Sequence, residues 1–418
     1  MSVLIKPTTS ITVSPARAAA FEILERVALT DAHSDDLLHS SRLTELTQAD
    51  RNLTTALVLG VLRWQLALDA IIQPLLSRPD VVLASPVATA IRLGAFQLRY
   101  LDRIPAHAAL SESVELVRSA GHGHAAGMVN AVLRKLTRTP PPKVPLYETT
   151  AAFAQRLSHP AWLVNRWEKH YGRAAALGIC QYDQTPQERG TLFPERETSE
   201  AALPRMDDGS RLVAELAAAA HPAPRRIWDC CAAPGGKTLV LAQHHHEADI
   251  LATDINPRRL RNLGDRLKPL APQVRTAVAD AARPPAREAA FDLILCDVPC
   301  TGTGTLGRNP ELKSRLKPAD LARQAVRQRE ILTSTLSCLA PGGCLLYSTC
   351  SLEPEENEHV VAAVFAASPA GISAAPLGPV LALLGLAPEA LLRDGQLRTL
   401  PGVGFQGDGF FAALLVKN

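Results

Sequence analysis

The stretch that most constrains this chain is Asp229-Cys230-Cys231-Ala232-Ala233-Pro234-Gly235-Gly236-Lys237-Thr238. Ile227 and Trp228 precede it, and Leu239-Val240-Leu241-Ala242 continues an apolar helical pattern after it. That order reads as strand, tight glycine turn and helix N-terminus. In such a turn a ligand can approach the backbone and meet the unpaired N–H groups of the helix. Eighteen residues after Gly236, Leu251-Ala252-Thr253-Asp254 closes a second apolar run with a carboxylate, a spacing that suits a ribose diol.

Two nucleotide readings compete. Gly236-Lys237-Thr238 looks like the end of a phosphate-binding loop, and Leu293-Ile294-Leu295-Cys296-Asp297 imitates the apolar run and acid that accompany one. That pattern requires glycine where Cys231 stands, and Cys231 with Pro234 spoils the phosphate nest. An S-adenosylmethionine pocket has no triphosphate to cradle and tolerates both residues. It is the favoured reading over a nucleoside triphosphatase.

At 418 residues the chain is too long for one ordinary core, so two or three domains are expected. Its net charge of +3 permits a nucleic-acid partner without demanding one. The N-terminus lacks the apolar core of a signal peptide, and no uninterrupted apolar run reaches bilayer length. The eight cysteines show neither disulfide nor zinc-site spacing. Reduced thiols in a cytoplasmic protein, with no membrane and no metal, are expected.

From Pro15 to about Arg138 the apolar pattern is helical, with Arg51, Arg63, Arg92, Arg99, Arg118, Arg134 and Arg138 between the stripes. Charge alone favours a solvated face for these arginines, with RNA contact as the sharper alternative. Thr139-Pro140-Pro141-Pro142-Lys143-Val144-Pro145 reads as a stiff linker, followed by a helix from Trp162 to about Gln181. Thr185 to Asp208 is polar and aperiodic, and a helix resumes from Leu212 to Ala220.

Strands are expected at Arg226–Asp229, Ile250–Asp254, Val274–Asp280, Phe291–Val298, Cys344–Thr349 and Phe410–Val416. Their alternation with helical patterns argues for a mostly parallel sheet covered on both faces. Its ligand edge would carry Gly235, Gly236, Asp254, Asp280 and Asp297 to Cys300, with Asp280 a candidate adenine contact. His244-His245-His246 lacks partners at ligand spacing and reads as a solvated helix end. Lys313, Arg315, Lys317, Arg323 and Arg327, after the Cys300 loop, are either a phosphate-tracking face or a solvated helix.

Cys338 and Cys344 read as small buried hydrophobes. Cys300 and Cys350 differ, because each follows a strand and enters a polar loop at the ligand edge. A thiol beside a methyl donor suggests methylation at carbon 5 of cytosine. A thiolate adding at carbon 6 makes carbon 5 enamine-like, and Asp297 could hold the N3/N4 edge of the base. A helix starting near Pro354 would help ionise the thiol, while Glu353, Glu355, Glu356 and Glu358 act in the opposite sense. Either thiol could be the nucleophile on this reading.

Three blocks carry a family resemblance: Asp229–Thr238, Asp297–Gly304 with Leu306–Glu311, and Tyr347–Ser351 with Pro354–Glu358. They resemble the RNA 5-methylcytosine methyltransferases of the NOL1/NOP2/sun family. The helical first part, with Asp50-Arg51 and Leu59–Trp64, is similar to the NusB-like domain of the family's bacterial RsmB (Sun/Fmu) branch. The resemblance implies a multidomain chain, an all-α NusB-like N-terminal domain plus an α/β Rossmann-like class I methyltransferase domain. The expected divisions are an RNA-binding domain at 1–139, a connector at 140–208 and a methyltransferase domain at 209–418.

The resemblance also implies that Cys231, Ala232, Ala233, Pro234, Gly235, Gly236, Lys237, Asp254, Asp280 and Asp297 line an S-adenosylmethionine site. It makes Cys350 the nucleophile and Cys300 the residue that assists product release, while Asp297 keeps the base-orienting role read from its place beside the thiols. The expected partner is 16S rRNA, free or partly assembled, met by a monomer. A non-catalytic RNA-binding or antitermination-like protein, or methylation of another RNA such as tRNA, is the alternative. The family's small α/β segment before the catalytic domain is missing, since Thr185–Asp208 is too short for it.

Overall fold

The computed structural model describes residues 13–40, 43–141, 148–186, 192–193, 206–367 and 371–418. The chain forms two compact units, Met1–His170 with Gly307–Arg315, and Tyr171–Leu306 with Leu316–Asn418.

The first unit is helical: α1 (Pro15–Leu29), α2 (Ser34–Leu38), α3 (Gln48–Ile72), α4 (Ser85–Tyr100), α5 (Ala106–Ser119), α6 (Ala126–Arg138), α7 (Thr150–Arg156) and α8 (Ala161–Tyr171). Thr47 caps α3 by accepting from Asp50 N and donating to the Asp50 carboxylate at 2.7 Å, and proline opens α1 and α4. Leu57, Val58, Ile91, Leu93, Leu133 and Leu136 meet in one apolar core. With the turn that follows it, α3 is long and apolar enough to cross a membrane, but half of it is buried inside this unit. That is the pattern of a core helix, one that a count of uninterrupted apolar runs overlooks.

Gly307–Arg315 joins this helical unit and ends in the short α13 (Leu312–Arg315). Arg63 donates twice to the Gly307 carbonyl, at 3.2 and 3.0 Å. The Glu311 carboxylate accepts from Ser34 N at 3.2 Å and the Ser34 hydroxyl at 2.9 Å, and Arg315 donates to Val27 O at 2.7 Å and Ala32 O at 2.9 Å. Lys313 is buried. These residues therefore do not form the single basic face that their spacing allows. Arg92 pairs with Asp69 and Arg99 donates to the carbonyls of Leu136 and Thr139, so several arginines of the helical region serve its own structure.

The second unit is α/β. Its strands are β1 (Arg226–Asp229), β2 (Asp249–Asp254), β3 (Val274–Val278), β4 (Phe291–Asp297), β5 (Leu339–Thr349), β6 (Ile372–Ala375), β7 (Leu392–Arg393), β8 (Gln396–Arg398) and β9 (Phe411–Lys417). The order is β3-β2-β1-β4-β5-β9-β8-β7, with β6 also paired to β9; β1 to β5 run parallel and β9 antiparallel. The helices are α9 (Arg173–Gln184), α10 (Asp208–Ala219), α11 (Gly236–His244), α12 (Pro257–Leu267), α14 (Pro318–Ser337), α15 (Glu358–Ala367) and α16 (Gly378–Leu383). Leu293, Leu295 and Leu346 enter one core, while Ile294, Cys296, Leu345 and Tyr347 enter the other. That period of two, apolar on both sides, is what a sheet covered on both faces requires.

Several expectations need correction. The helix expected from Trp162 to Gln181 is two, α8 and α9, broken at Gly172, whose φ of +84° lies in the left-handed region. The short strands β6, β7 and β8 were not anticipated, because two to four residues carry no readable period, and neither was the seven-residue α7. The helix expected at Pro354 starts at Glu358, after a 3-10 turn over Pro354–Glu356. The histidine run is not simply solvated: His244 pairs with Glu215 at 2.7 Å and His245 meets the Ala218 carbonyl at 2.9 Å. Most of the 185–208 segment and residues 142–147 of the linker lie outside the described residues.

Candidate active site

The glycine turn is built from both neighbouring strands. Cys230 N donates to Leu295 O at 3.1 Å on β4, and Ala232 N donates to Thr253 O at 2.8 Å on β2. Gly235 N then turns back to Ala232 O at 2.7 Å, and Gly235 stands at φ +102°, with Leu263 already 3.0 Å from where a β-carbon would project. A side chain there would be strained and crowded, so the turn into α11 requires a glycine. Arg259 and Arg266 of α12 hold the carbonyls of Ala233 and Pro234 at 3.0 and 3.2 Å.

Asp254 closes β2 and is buried, with its carboxylate accepting from Ala233 N at 3.3 Å and Asn256 N at 2.8 Å. Glycine turn and acid thus form one corner. Ile255, next in sequence, is an apolar side chain that leaves 60% of its surface exposed. Asp280, after β3, accepts from Ala282 N at 3.0 Å and forms an ion pair with Arg327 of α14. It lines a cavity of about 530 Å³ with Arg283, Val326, Arg329 and Thr333.

At the ends of β4 and β5 the residues are more tightly coupled. Lys237 Nζ lies 2.8 Å from Asp297 Oδ2, and the Ser348 hydroxyl donates to Asp297 Oδ1 at 2.7 Å. Burial is the largest influence and works against the Lys237 ammonium, but the charge of Asp297 and its hydrogen bond, with Asp229 adding to them, together hold the lysine above its ordinary pKa. Beneath them Asp229, 1% exposed, accepts from the Thr238 hydroxyl at 2.6 Å. Burial pushes its carboxyl up to about 7, against that hydrogen bond and with the Asp297 charge adding to the rise. Asp229 opens the sequence motif, yet its neighbours gave no sign of this role.

The two candidate thiols meet. Cys300 Sγ is 3.3 Å from Cys350 Sγ, both partly buried, although 50 residues separate them in the chain. The contact with Cys350 and then burial push the Cys300 thiol well above its ordinary value, and the charge of Glu356 acts in the same sense. Cys344, by contrast, is an apolar filler whose thiol burial pushes up to about 12. Gly304 N donates to Cys350 O at 2.9 Å and Leu352 N to the Thr303 hydroxyl at 2.8 Å, so the two cysteine loops are laced together. The predicted residues thus fall into a turn-and-acid corner at Cys231–Lys237 and Asp254, and a cluster of Lys237, Asp297, Cys300 and Cys350. Asp280 stands with Arg327 rather than in that cluster.

A family model described as 16S rRNA methyltransferase RsmB/F matches residues 217–416, and a NusB family model matches residues 14–138. A Bacillus subtilis protein named probable ribosomal RNA small subunit methyltransferase B is 31% identical over 96% of this chain and 98% of its own. The ribosomal RNA small subunit methyltransferase B of Salmonella typhi is 33% identical over 90% and 92%. The solved structure of PH0851 superposes with a TM-score of 0.78 at 21% identity, covering 97% of this chain and 100% of that one. A methyltransferase homolog protein from Pyrococcus horikoshii superposes with a TM-score of 0.51 at 24% identity, over 65% and 100%. At those identities the two structures show the fold. Sheet and relatives together define a Rossmann-like methyltransferase carrying a NusB-type helical domain. The chain belongs to the RsmB/F family of 16S rRNA methyltransferases.

Proposed function

We propose that this protein methylates carbon 5 of a cytosine in 16S rRNA through a covalent adduct between Cys350 and carbon 6 of the base. The observation that carries the reading is the pair of thiols 3.3 Å apart, at the strand ends where Lys237 and Asp297 also meet. The names of the relatives supply the substrate class.

The residues fit S-adenosylmethionine: a glycine turn at a helix start, a buried ribose-type acid at Asp254 and an exposed apolar side chain at Ile255. Cys231–Lys237, Asp254, Asp280 and Asp297 would hold it, and when bound it supplies an electrophilic methyl group. The chain's own residues do the rest. Asp297, fixed by Lys237 and Ser348, presents an acceptor to the N3/N4 edge of the base. The Cys350 thiolate adds to carbon 6 and leaves carbon 5 electron-rich. At the later elimination the carbon 5 proton passes to a base while the bond between Cys350 and carbon 6 breaks and Cys350 leaves as thiolate; Cys300, in contact with Cys350, stands where it can assist that step. The target base leaves its stack to reach these sulfurs, so an accessible or partly unfolded rRNA segment is the substrate. The reading takes 1–139 as the RNA-binding domain, 140–208 as connector and 209–418 as catalytic domain. It includes a cytoplasmic monomer.

The test incubates each thiol variant with 16S rRNA and cofactor and examines denaturing gels. Cys350→Ala should give neither product nor adduct, whereas Cys300→Ala should accumulate a denaturant-resistant protein–RNA band. A band from Cys350→Ala alone would exchange the two roles. Methylation intact in both, with no band, would remove the covalent route.

A further inference from the structure

Glu356 has no exposed surface, although it is charged and close to the thiols. Its carboxylate accepts from Thr301 N at 2.9 Å, from the Thr301 hydroxyl and from the Ser351 hydroxyl at 2.5 Å. Thr301 follows Cys300 and Ser351 follows Cys350, so one side chain grips the residue after each cysteine. Gln328 of α14 donates to Glu356 Oε1 at 3.0 Å and to Pro299 O, just before Cys300, at 3.0 Å. The Glu356 backbone is itself fixed, its carbonyl accepting from the Tyr347 hydroxyl at 2.6 Å. A buried carboxylate is a poor device for stability alone, since apolar groups of similar volume serve as well or better. Here its bonds run to the two loops whose sulfurs must face each other.

We propose that Glu356 is a positioning residue whose carboxylate clamps Thr301 to Ser351 and thereby keeps the sulfurs of Cys300 and Cys350 in contact. The inference builds on the two-thiol reading above, but the clamp can be measured without RNA or cofactor. Diamide removes one hydrogen from each of two adjacent thiols, forming an S–S bond and leaving the reduced hydrazine. Its rate of closing the Cys300–Cys350 disulfide, followed by peptide mass mapping, reports how well the sulfurs are juxtaposed.

Glu356→Gln should keep the wild-type melting temperature closely and close that disulfide ~10-fold or more slowly, since misplacing reactive groups by about an ångström costs rate steeply. In methylation assays its kcat should fall while KM for S-adenosylmethionine stays unchanged. Gln328→Met, which removes one of the donors to Glu356, should slow closure by a smaller factor. A folded Glu356→Gln protein that closes at the wild-type rate overturns the proposal. If Glu356→Gln does not fold, Gln328→Met decides it, and wild-type closure there overturns it equally. Slowed closure in a protein that transfers no methyl group at all would support the clamp and sink the methylation reading instead.

Discussion

Asp229 shows how much of the site's behaviour is set by burial rather than by charge pairing. Its carboxyl is raised from 3.8 to about 7, chiefly by burial, and Thr238 donates to it from the first turn of α11. A carboxyl raised on folding contributes stability in full below its unfolded value, and that contribution is lost as pH rises through the folded one. Asp229 should therefore make the protein progressively less stable between 3.8 and about 7. Asp229→Asn removes the titration but keeps an acceptor for the Thr238 hydroxyl. Its chemical-denaturation free energy should decline less than wild type's between about pH 5 and about pH 8, by on the order of a few kcal/mol. Parallel curves for the two proteins would show that burial does not set this carboxyl.

At the scale of elements, the insertion of Gly307–Arg315 among the helices is held by a buried acid. Glu311 is lowered from 4.5; burial opposes this, and the hydrogen bonds from His33 and Ser34 outweigh it. His33 is raised from 6.5, first by its bond to Glu311. The Glu311 contribution is present above 4.5 and lost as pH falls, while the His33 contribution is present below 6.5 and lost as pH rises. The tie should be strongest between those values. Glu311→Ala leaves the Ser34 groups without their acceptor and should cost on the order of 1–3 kcal/mol, most in that window. Urea titrations across pH showing a flat loss would separate the tie from His33. The sequence revealed β1 and the start of β4 to the residue, because the glycine turn closes the short β1 and the apolar run of β4 ends in an acid. It hid β6 to β8, which exist through pairing with β9 and with each other, and it hid the partner of Glu311, 277 residues upstream. It marked Cys300 and Cys350 as thiols at strand ends but not their contact. It read the nearby glutamates as opposing thiol ionisation, which Glu356 does at Cys300, but gave no sign that Glu356 bonds to both loops.

Across the whole molecule, a net charge of +3 on 418 residues gives no strong general attraction for RNA, so local clusters must supply it. Much of the helical unit's basic charge is already engaged: Arg63 on Gly307, Arg92 on Asp69, Arg99 on two carbonyls, Arg315 on the end of α1. On α6 the situation differs. Arg134 and Arg138 are exposed, Arg134 touching a neutral Asn130 side chain, while Val129, Val132, Leu133 and Leu136 bury the opposite face. A helix so divided can give up its outer charges at little structural cost. If that face meets phosphates, replacing Arg134 and Arg138 by alanine together should leave the melting temperature unchanged and weaken rRNA-fragment binding. The slope of log K against log salt should flatten by roughly 0.7 to 0.9 for each phosphate no longer neutralised. Fluorescence anisotropy across a potassium chloride series measures both affinity and slope on one sample. A slope identical to wild type would leave α6 solvated and move the search to the cavity beside Asp280, where Arg283 and Arg329 also face outward.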